Sequence, residues 1–242
     1  MTRIDSEAAE SRTNRLRRKL RPAETALVLV DVQNDFCSPG GIMDREGADL
    51  APVQKMLPDL ARLLANARAA GVFVVHVRNA YSTADNRYLS ESFLDVATRR
   101  LAGRALTSIP MCEPGSWGAD HAPGFSPTDS EPVVVKHRYS GFYQTDLEML
   151  LRVRNIRTVV PTGVATNVCV ESTARDAFMR DLHVVFPSDA SATYYPAAHA
   201  ATLSTIGLHF GEVSDVDEVS SVWLPHPPLA EPAAATIVGA RA

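Results

Sequence analysis

Cysteine is scarce in this chain: Cys37, Cys112 and Cys169 are the only three among 242 residues, an odd number with no C-x-x-C pair. That count and spacing argue against both a disulfide framework and a zinc ribbon. Long apolar runs are missing too. No stretch approaches membrane-spanning length, and the polar N-terminus lacks the apolar core of a secretory signal, so a soluble, cytoplasmic protein is expected. Charge of one sign is not in excess either. With 24 Lys and Arg against 28 Asp and Glu, the formal net charge is −4, which gives no reason to expect nucleic acid or an anionic membrane as a partner. The basic stretch R-L-R-R-K-L-R, residues 15–21, has no interleaved aromatics and reads as a solvated or subunit-packing extension. Nothing in the middle reads as a flexible linker. The expected organisation is an N-terminal arm (1–22), one domain (23–223) and a surface tail (224–242) rich in Pro and Ala.

What is present is apolar residue, 45% of the chain, arranged as alternating strand and helix signals. T-A-L-V-L-V at 25–30 is a continuous apolar run of the kind covered on both faces, and it ends at Asp31. Leu57, Leu60, Leu64 and Ala67 recur at helical spacing within 50–70, closed by Gly71. A second strand is expected at 72–77, with His76 inside it as a satisfied core histidine. An amphipathic stretch at 89–101 and a long Pro- and Gly-rich connection to residue 131 follow, the latter read as a lid or a subunit contact. Further strands are expected at 132–135, ending at Lys136, at 158–160 and at 182–186. Helices are expected at 147–154, with Thr145 as N-cap, and at 199–208. This alternation predicts an α/β fold, three layers with a parallel sheet between helices.

The stretch P-T-G-V-A-T-N-V-C-V-E-S-T at 161–173 organises the rest. Gly163 breaks the strand, Thr166 or Asn167 is a natural N-cap, and Cys169 falls in the first helical turn, where free amides and the helix dipole favour a negative sulfur. The bland alternative is a buried structural cysteine. Chemistry enters if the strand ends Asp31 and Lys136 converge on it. Amide hydrolysis needs a nucleophile, a proton donor for nitrogen and a stabilised oxyanion. Cys169 would attack, Asp31 would shuttle the proton, and Lys136 would stabilise both anions. The amides of Ala165 and Cys169 are the candidate oxyanion donors. No role demands a metal or a cofactor. Candidates for substrate contact are Gln33, Asn34 and Phe36 after the first strand, Asn79 and Tyr81 after the second, Tyr139, Phe142, Tyr143 and Gln144 after the third, and Asn167. Arg78 or Arg138 could pair with a substrate carboxylate.

Asp31 in V-L-V-D-V-Q-N-D-F, Lys136 in V-V-V-K-H-R-Y-S-G-F and Cys169 in T-G-V-A-T-N-V-C-V-E-S-T-A-R-D-A together resemble the isochorismatase-like cysteine hydrolase superfamily over residues 25–210. The resemblance implies an Asp31, Lys136, Cys169 triad, a six-stranded parallel sheet and a cis peptide between Val164 and Ala165 that aims the oxyanion amides. Within the superfamily, K-H-R-Y-S-G-F-Y-Q-T and G-V-A-T-N-V-C-V-E-S-T are most similar to ureidoacrylate amidohydrolases, with biuret and triuret hydrolases close behind. Nicotinamidases carry an Asp-x-His metal element where this chain reads R-N-A-Y-S-T-A-D-N-R, so no metal is expected. The implied activity is cleavage of a small ureido or carbamoyl compound through a thioester, with water as second substrate. Alternatives are hydrolysis of N-carbamoylsarcosine, maleamate or nicotinamide, or a catalytically silent binding homologue. The terminal arms and the long central connection suggest subunit contacts, so a homo-oligomer, dimer or tetramer, is expected.

Overall fold

The computed structural model describes residues 11–81, 85–100 and 110–224; the expected tail (224–242) beyond its first residue, the first ten residues of the arm and part of the long connection lie outside them. The strands are β1 (Thr25–Val30), β2 (Phe73–Asn79), β3 (Val133–Lys136), β4 (Thr158–Val164), β5 (His183–Pro187), β6 (Ser191–Ala192) and β7 (Glu212–Ser214). They form one parallel sheet in the order β3-β2-β1-β4-β5-β7, with the short β6 paired to the end of β4. The central strands read as uninterrupted apolar runs because both their faces are covered. Leu27 and Leu29 face one helical layer, built from α1 (Arg12–Lys19), α4 (Ala51–Ala69) and α9 (Val216–Trp223). Ala26, Val28 and Val30 face the other, built from α6 (Leu147–Val153), α7 (Glu171–Phe178) and α8 (Pro196–His209). Among the described residues no helix is long and apolar enough to cross a membrane.

The structure corrects several expectations. The basic run is not a solvated arm: it lies in and just after α1, and Leu16 of that helix and Leu20 at its C-cap are buried in the same core as the sheet. Within the run Lys19 meets Glu212 of the same chain, and Arg12 just before it meets Glu218, each at 2.7 Å. Strand β4 does not stop at Gly163. That glycine pairs with Val30 and Ser191 at φ 106°, and a Cβ there would lie 2.2 Å from the Val30 carbonyl oxygen, so only glycine lets β4 run alongside β1 to its end. Strand β7 and helix α9 were not anticipated. Thr145 does not occupy the cap of α6, which falls on Asp146; its hydroxyl accepts from Leu147 N at 3.3 Å and donates to Gly141 O. His76 is buried as expected, with Nε2 3.0 Å from Glu131.

Because all strands run the same way, Asp31, Asn79, Lys136 and Val164 gather at one edge of the sheet. Two short helices, α2 (Asn34–Cys37) and α3 (Ile42–Arg45), cover that edge. The described part of the long connection, 110–131, packs on them: Gln33 bridges His121, Asn34 Nδ2 donates to Trp117 O at 2.8 Å, and Gly118 lies against the Asp35 carboxylate.

Candidate active site

Strand β1 ends abruptly because Asp31 takes a left-handed φ of 54°; its N–H donates to Val77 O and its carbonyl accepts from Gln33 N, both at 2.8 Å. Aspartate tolerates this conformation better than most residues. From β3, Lys136 is fully buried and its Nζ donates to Asp31 Oδ2 at 2.7 Å. The same nitrogen lies 3.5 Å from Cys169 Sγ and 3.2 Å from the Arg138 carbonyl. The three sequence candidates for the chemistry therefore meet in one place, 105 and 33 residues apart along the chain.

Cys169 sits on a π-helical turn, Thr166–Val170, that leads into α7. The expected caps do not hold. Ala165 is the N-cap and no side chain caps the turn, because the wider coil returns Val168 N and Val170 N to the Ala165 carbonyl at 3.0 and 3.2 Å. Such turns inside helices recur at functional sites. The peptide between Val164 and Ala165 is cis. Thr173, one turn on, donates its hydroxyl to the Cys169 carbonyl at 2.7 Å and accepts from Gly141 N at 2.9 Å, tying the cysteine to the loop after β3.

Electrostatics at the centre differ from a simple helix-dipole picture. Burial pushes the Cys169 thiol up to about 12, and the neighbouring Asp31 charge adds to that, with Lys136 opposing. Burial likewise raises the Asp31 carboxyl above its ordinary value against the pull of Lys136. For Lys136, burial would lower the ammonium, but Asp31 and Cys169 together hold it above its ordinary value. One cation thus faces two acids, and the cluster is neutral when these acids hold one proton between them. The dipole of the first turn does not overcome desolvation.

A cavity of about 410 Å³ opens over this centre. Of the anticipated contacts, Phe36, Asn79, Tyr81, Tyr139 and Asn167 line it, beside Asp31, Ala165 and Cys169. Others do not. Gln33 spends its side chain on the Asn79 backbone and the Ala119 carbonyl, at 2.7–3.1 Å. Asn34 is engaged by Trp117 O and Ser38 Oγ. Phe142 packs in the core beneath α7, with the Arg180 guanidinium over its ring at 4.8 Å, while Tyr143 and Gln144 ride an exposed turn. Arg78 lines a separate cavity of about 490 Å³, and Arg138 donates to the Tyr88 and His137 carbonyls. Missed contributors are Met43 and Glu46 from the α3 region, Met111, and Thr193, Tyr194 and Tyr195 after β6. The last three follow the two-residue β6, in a stretch with no strand signal in the sequence.

Several polar atoms at this wall are buried without a hydrogen-bond partner: both amide atoms of Asn79, Asn167 Oδ1 and Asp31 Oδ1. Unpaired buried polar groups are costly, and a polar ligand would pair them. Among the described residues no group of three or more His, Cys, Asp or Glu side chains is arranged to hold a metal ion.

Comparison with known proteins settles the lineage: the isochorismatase domain matches residues 25–218. The chain belongs to the isochorismatase family. Among its family relatives, ureidoacrylate amidohydrolase RutB of Methylobacterium radiotolerans is 38% identical over 225 residues, covering 91% of this chain and 86% of the relative. A cysteine hydrolase from Pseudomonas syringae pv. phaseolicola superposes with a TM-score of 0.72 at 29% identity, covering 84% and 94% of the two chains. N-carbamoylsarcosine amidase from Thermoplasma acidophilum superposes with a TM-score of 0.61 at 27% identity, covering 80% and 97%.

Proposed function

We propose that this isochorismatase-family protein is a thiol amidohydrolase that cleaves the C–N bond of a small ureido or carbamoyl compound, with ureidoacrylate as the first candidate. The observation that carries the reading is Lys136 Nζ within reach of both Asp31 Oδ2 and Cys169 Sγ, the two side chains of this set that line a substrate-sized cavity. The reaction follows from the charge count. Asp31 takes the thiol proton, so the sulfur becomes nucleophilic while the net charge beside Lys136 stays constant. The sulfur adds to the carbonyl carbon, and the oxyanion is received by the amides of Ala165 and Cys169. Asp31 returns the proton to nitrogen as the C–N bond breaks, which leaves a thioester and a free amine or ammonia. It next takes a proton from water, whose oxygen attacks the thioester. The C–S bond breaks and the sulfur recovers its proton.

The unpaired amide of Asn79 and the oxygen of Asn167 support a ureido group, which offers donors and acceptors in one plane. The relatives' names point the same way: one acts on ureidoacrylate, another is an N-carbamoylsarcosine amidase. The test is product release from ureidoacrylate, biuret, triuret and N-carbamoylsarcosine, with Cys169→Ser and Cys169→Ala as controls. Turnover is expected to fall by at least about 10³-fold in both, and rapid quench with mass spectrometry should show an acyl adduct on Cys169 in the wild type. Unchanged turnover in Cys169→Ala would refute the reading.

A further inference from the structure

Helix α8 grips the Cys169 turn at both ends. Upstream, His199 Nδ1 lies 2.9 Å from Thr166 Oγ1, three residues before the cysteine. Downstream, Thr202 donates to Glu171 Oε2 at 2.5 Å, two residues after it. Thr166 is fully buried and follows Ala165, whose carbonyl closes the π turn; its own carbonyl accepts from Glu171 N. The Thr166 side chain is therefore the handle by which the rest of the molecule can fix the pitch of this turn.

We propose that His199, acting through Thr166, is a positioning residue for Cys169, and that it must be neutral to do so. The proposal rests on the reading of Cys169 as nucleophile. In this role the neutral ring keeps its hydrogen on Nε2 and accepts the Thr166 O–H at Nδ1, 2.9 Å away. A protonated ring carries hydrogen on both nitrogens. Nδ1 must then donate, and the buried Thr166 hydroxyl has to turn its hydrogen elsewhere, at the cost of unpairing a group shut off from water.

The surroundings bear on when this happens. A cavity of about 310 Å³ on the far side of Thr193 from the Cys169 chamber is lined by His199 together with Lys55 and Asp59 from α4 and Asp189 from the loop before β6. Lys55 disfavours an imidazolium; the two carboxylates favour it. Burial outweighs the Ser188 carbonyl and holds the ring below its ordinary value, which places the neutral form at pH 7 and the switch on the acid side.

The test compares the wild-type full chain with His199→Gln, whose amide oxygen can still accept from Thr166, with His199→Ala, and with Thr166→Val. Two readouts are needed: kcat and KM for the best ureido substrate across pH, and the rate of Cys169 alkylation by iodoacetamide, followed by peptide mass spectrometry. His199→Ala and Thr166→Val should each lower kcat and shift the alkylation rate by about tenfold or more with KM little changed, and combining them should add nothing, as expected of one shared contact. His199→Gln should recover kcat to within about threefold and lose one acid-side inflection that the wild type shows. Alkylation and turnover unchanged in His199→Ala, or the same inflection in His199→Gln, would overturn the proposal. If no ureido compound turns over while alkylation follows the expected pattern, the proposed reaction fails and the positioning role stands.

Discussion

At the scale of single residues, the proposed reaction asks the centre to share one proton between two buried acids under one fixed cation. Lys136 makes a contact to each of them, so moving the proton from sulfur to carboxylate creates no new net charge in a medium that penalises charge heavily. On that proposal a thiol pushed up to about 12 can still attack, because the thiolate would form in step with protonation of Asp31 rather than by release to solvent. A divergent outcome follows for Asp31→Asn. With the carboxylate gone, the repulsion that helps hold the thiol up disappears while Lys136 remains, so the thiolate fraction at neutral pH should rise, visible as thiolate absorbance and faster alkylation. Turnover should nonetheless drop by about 10²–10⁴-fold, because nothing protonates the departing nitrogen. A variant that lost thiolate and turnover together would mean that Asp31 is needed to hold Lys136 beside the sulfur, and that its repulsion of the sulfur is not what sets the thiol.

At the scale of elements, the unit that matters is β4, the cis peptide, the π turn and α7. Its entry depends on Gly163, held at φ 106° with the Val30 carbonyl in the space of a side chain. Gly163→Ala should cost about 3 kcal/mol or more in urea denaturation, since both the backbone conformation and the close approach to β1 are violated; a loss below about 0.5 kcal/mol would show that β4 can move away from β1. Strand β1 and the start of β2 were legible in the sequence because strands covered on both faces are written as unbroken apolar runs. Edge strand β7 was not, since E-V-S is short and only partly apolar. Helix α9 carried a usable signal in Val216, Val219 and Trp223, obscured by the Pro- and Ala-rich stretch beyond it. Asp31, Lys136 and Cys169 were legible because each sits at or just beyond the end of a strand signal. The cavity wall was not: Asp35 accepts from Ile42 N and Cys112 N at 3.1 and 2.7 Å, and that clasp ties α3, which carries Met43, to the long connection, which carries Met111, where both line the cavity. No local periodicity encodes such a contact.

At the scale of the whole molecule, the long connection between α5 (Glu91–Arg100) and β3 must be returned to the body of the fold, and Glu131 is the point where this happens. Its carboxylate takes two hydrogen bonds from Arg68 of α4 at 2.8 Å, one from Thr128 N at 3.0 Å and a contact with His76 of β2 at 3.0 Å, so helix layer, loop and sheet are joined through one group. Burial alone would raise this carboxyl; the Arg68, Thr128 and His76 hydrogen bonds outweigh it and hold it near 2, against an ordinary 4.5. A carboxyl depressed on folding contributes stability that is complete above its unfolded value and is lost as the pH falls towards the folded one. The window here runs from about 4.5 down to about 2. Glu131→Gln should therefore be less stable than the wild type at pH 7 by about 1–2 kcal/mol, a figure reduced for the solvent-facing side of Arg68. The gap should close as the pH is lowered through that window, which urea midpoints at a series of pH values would measure. A gap that stayed constant down to pH 2 would mean that Glu131 acts by shape rather than by charge, and that the loop is anchored by the packing of residues 110–125 on α2 and α3 instead.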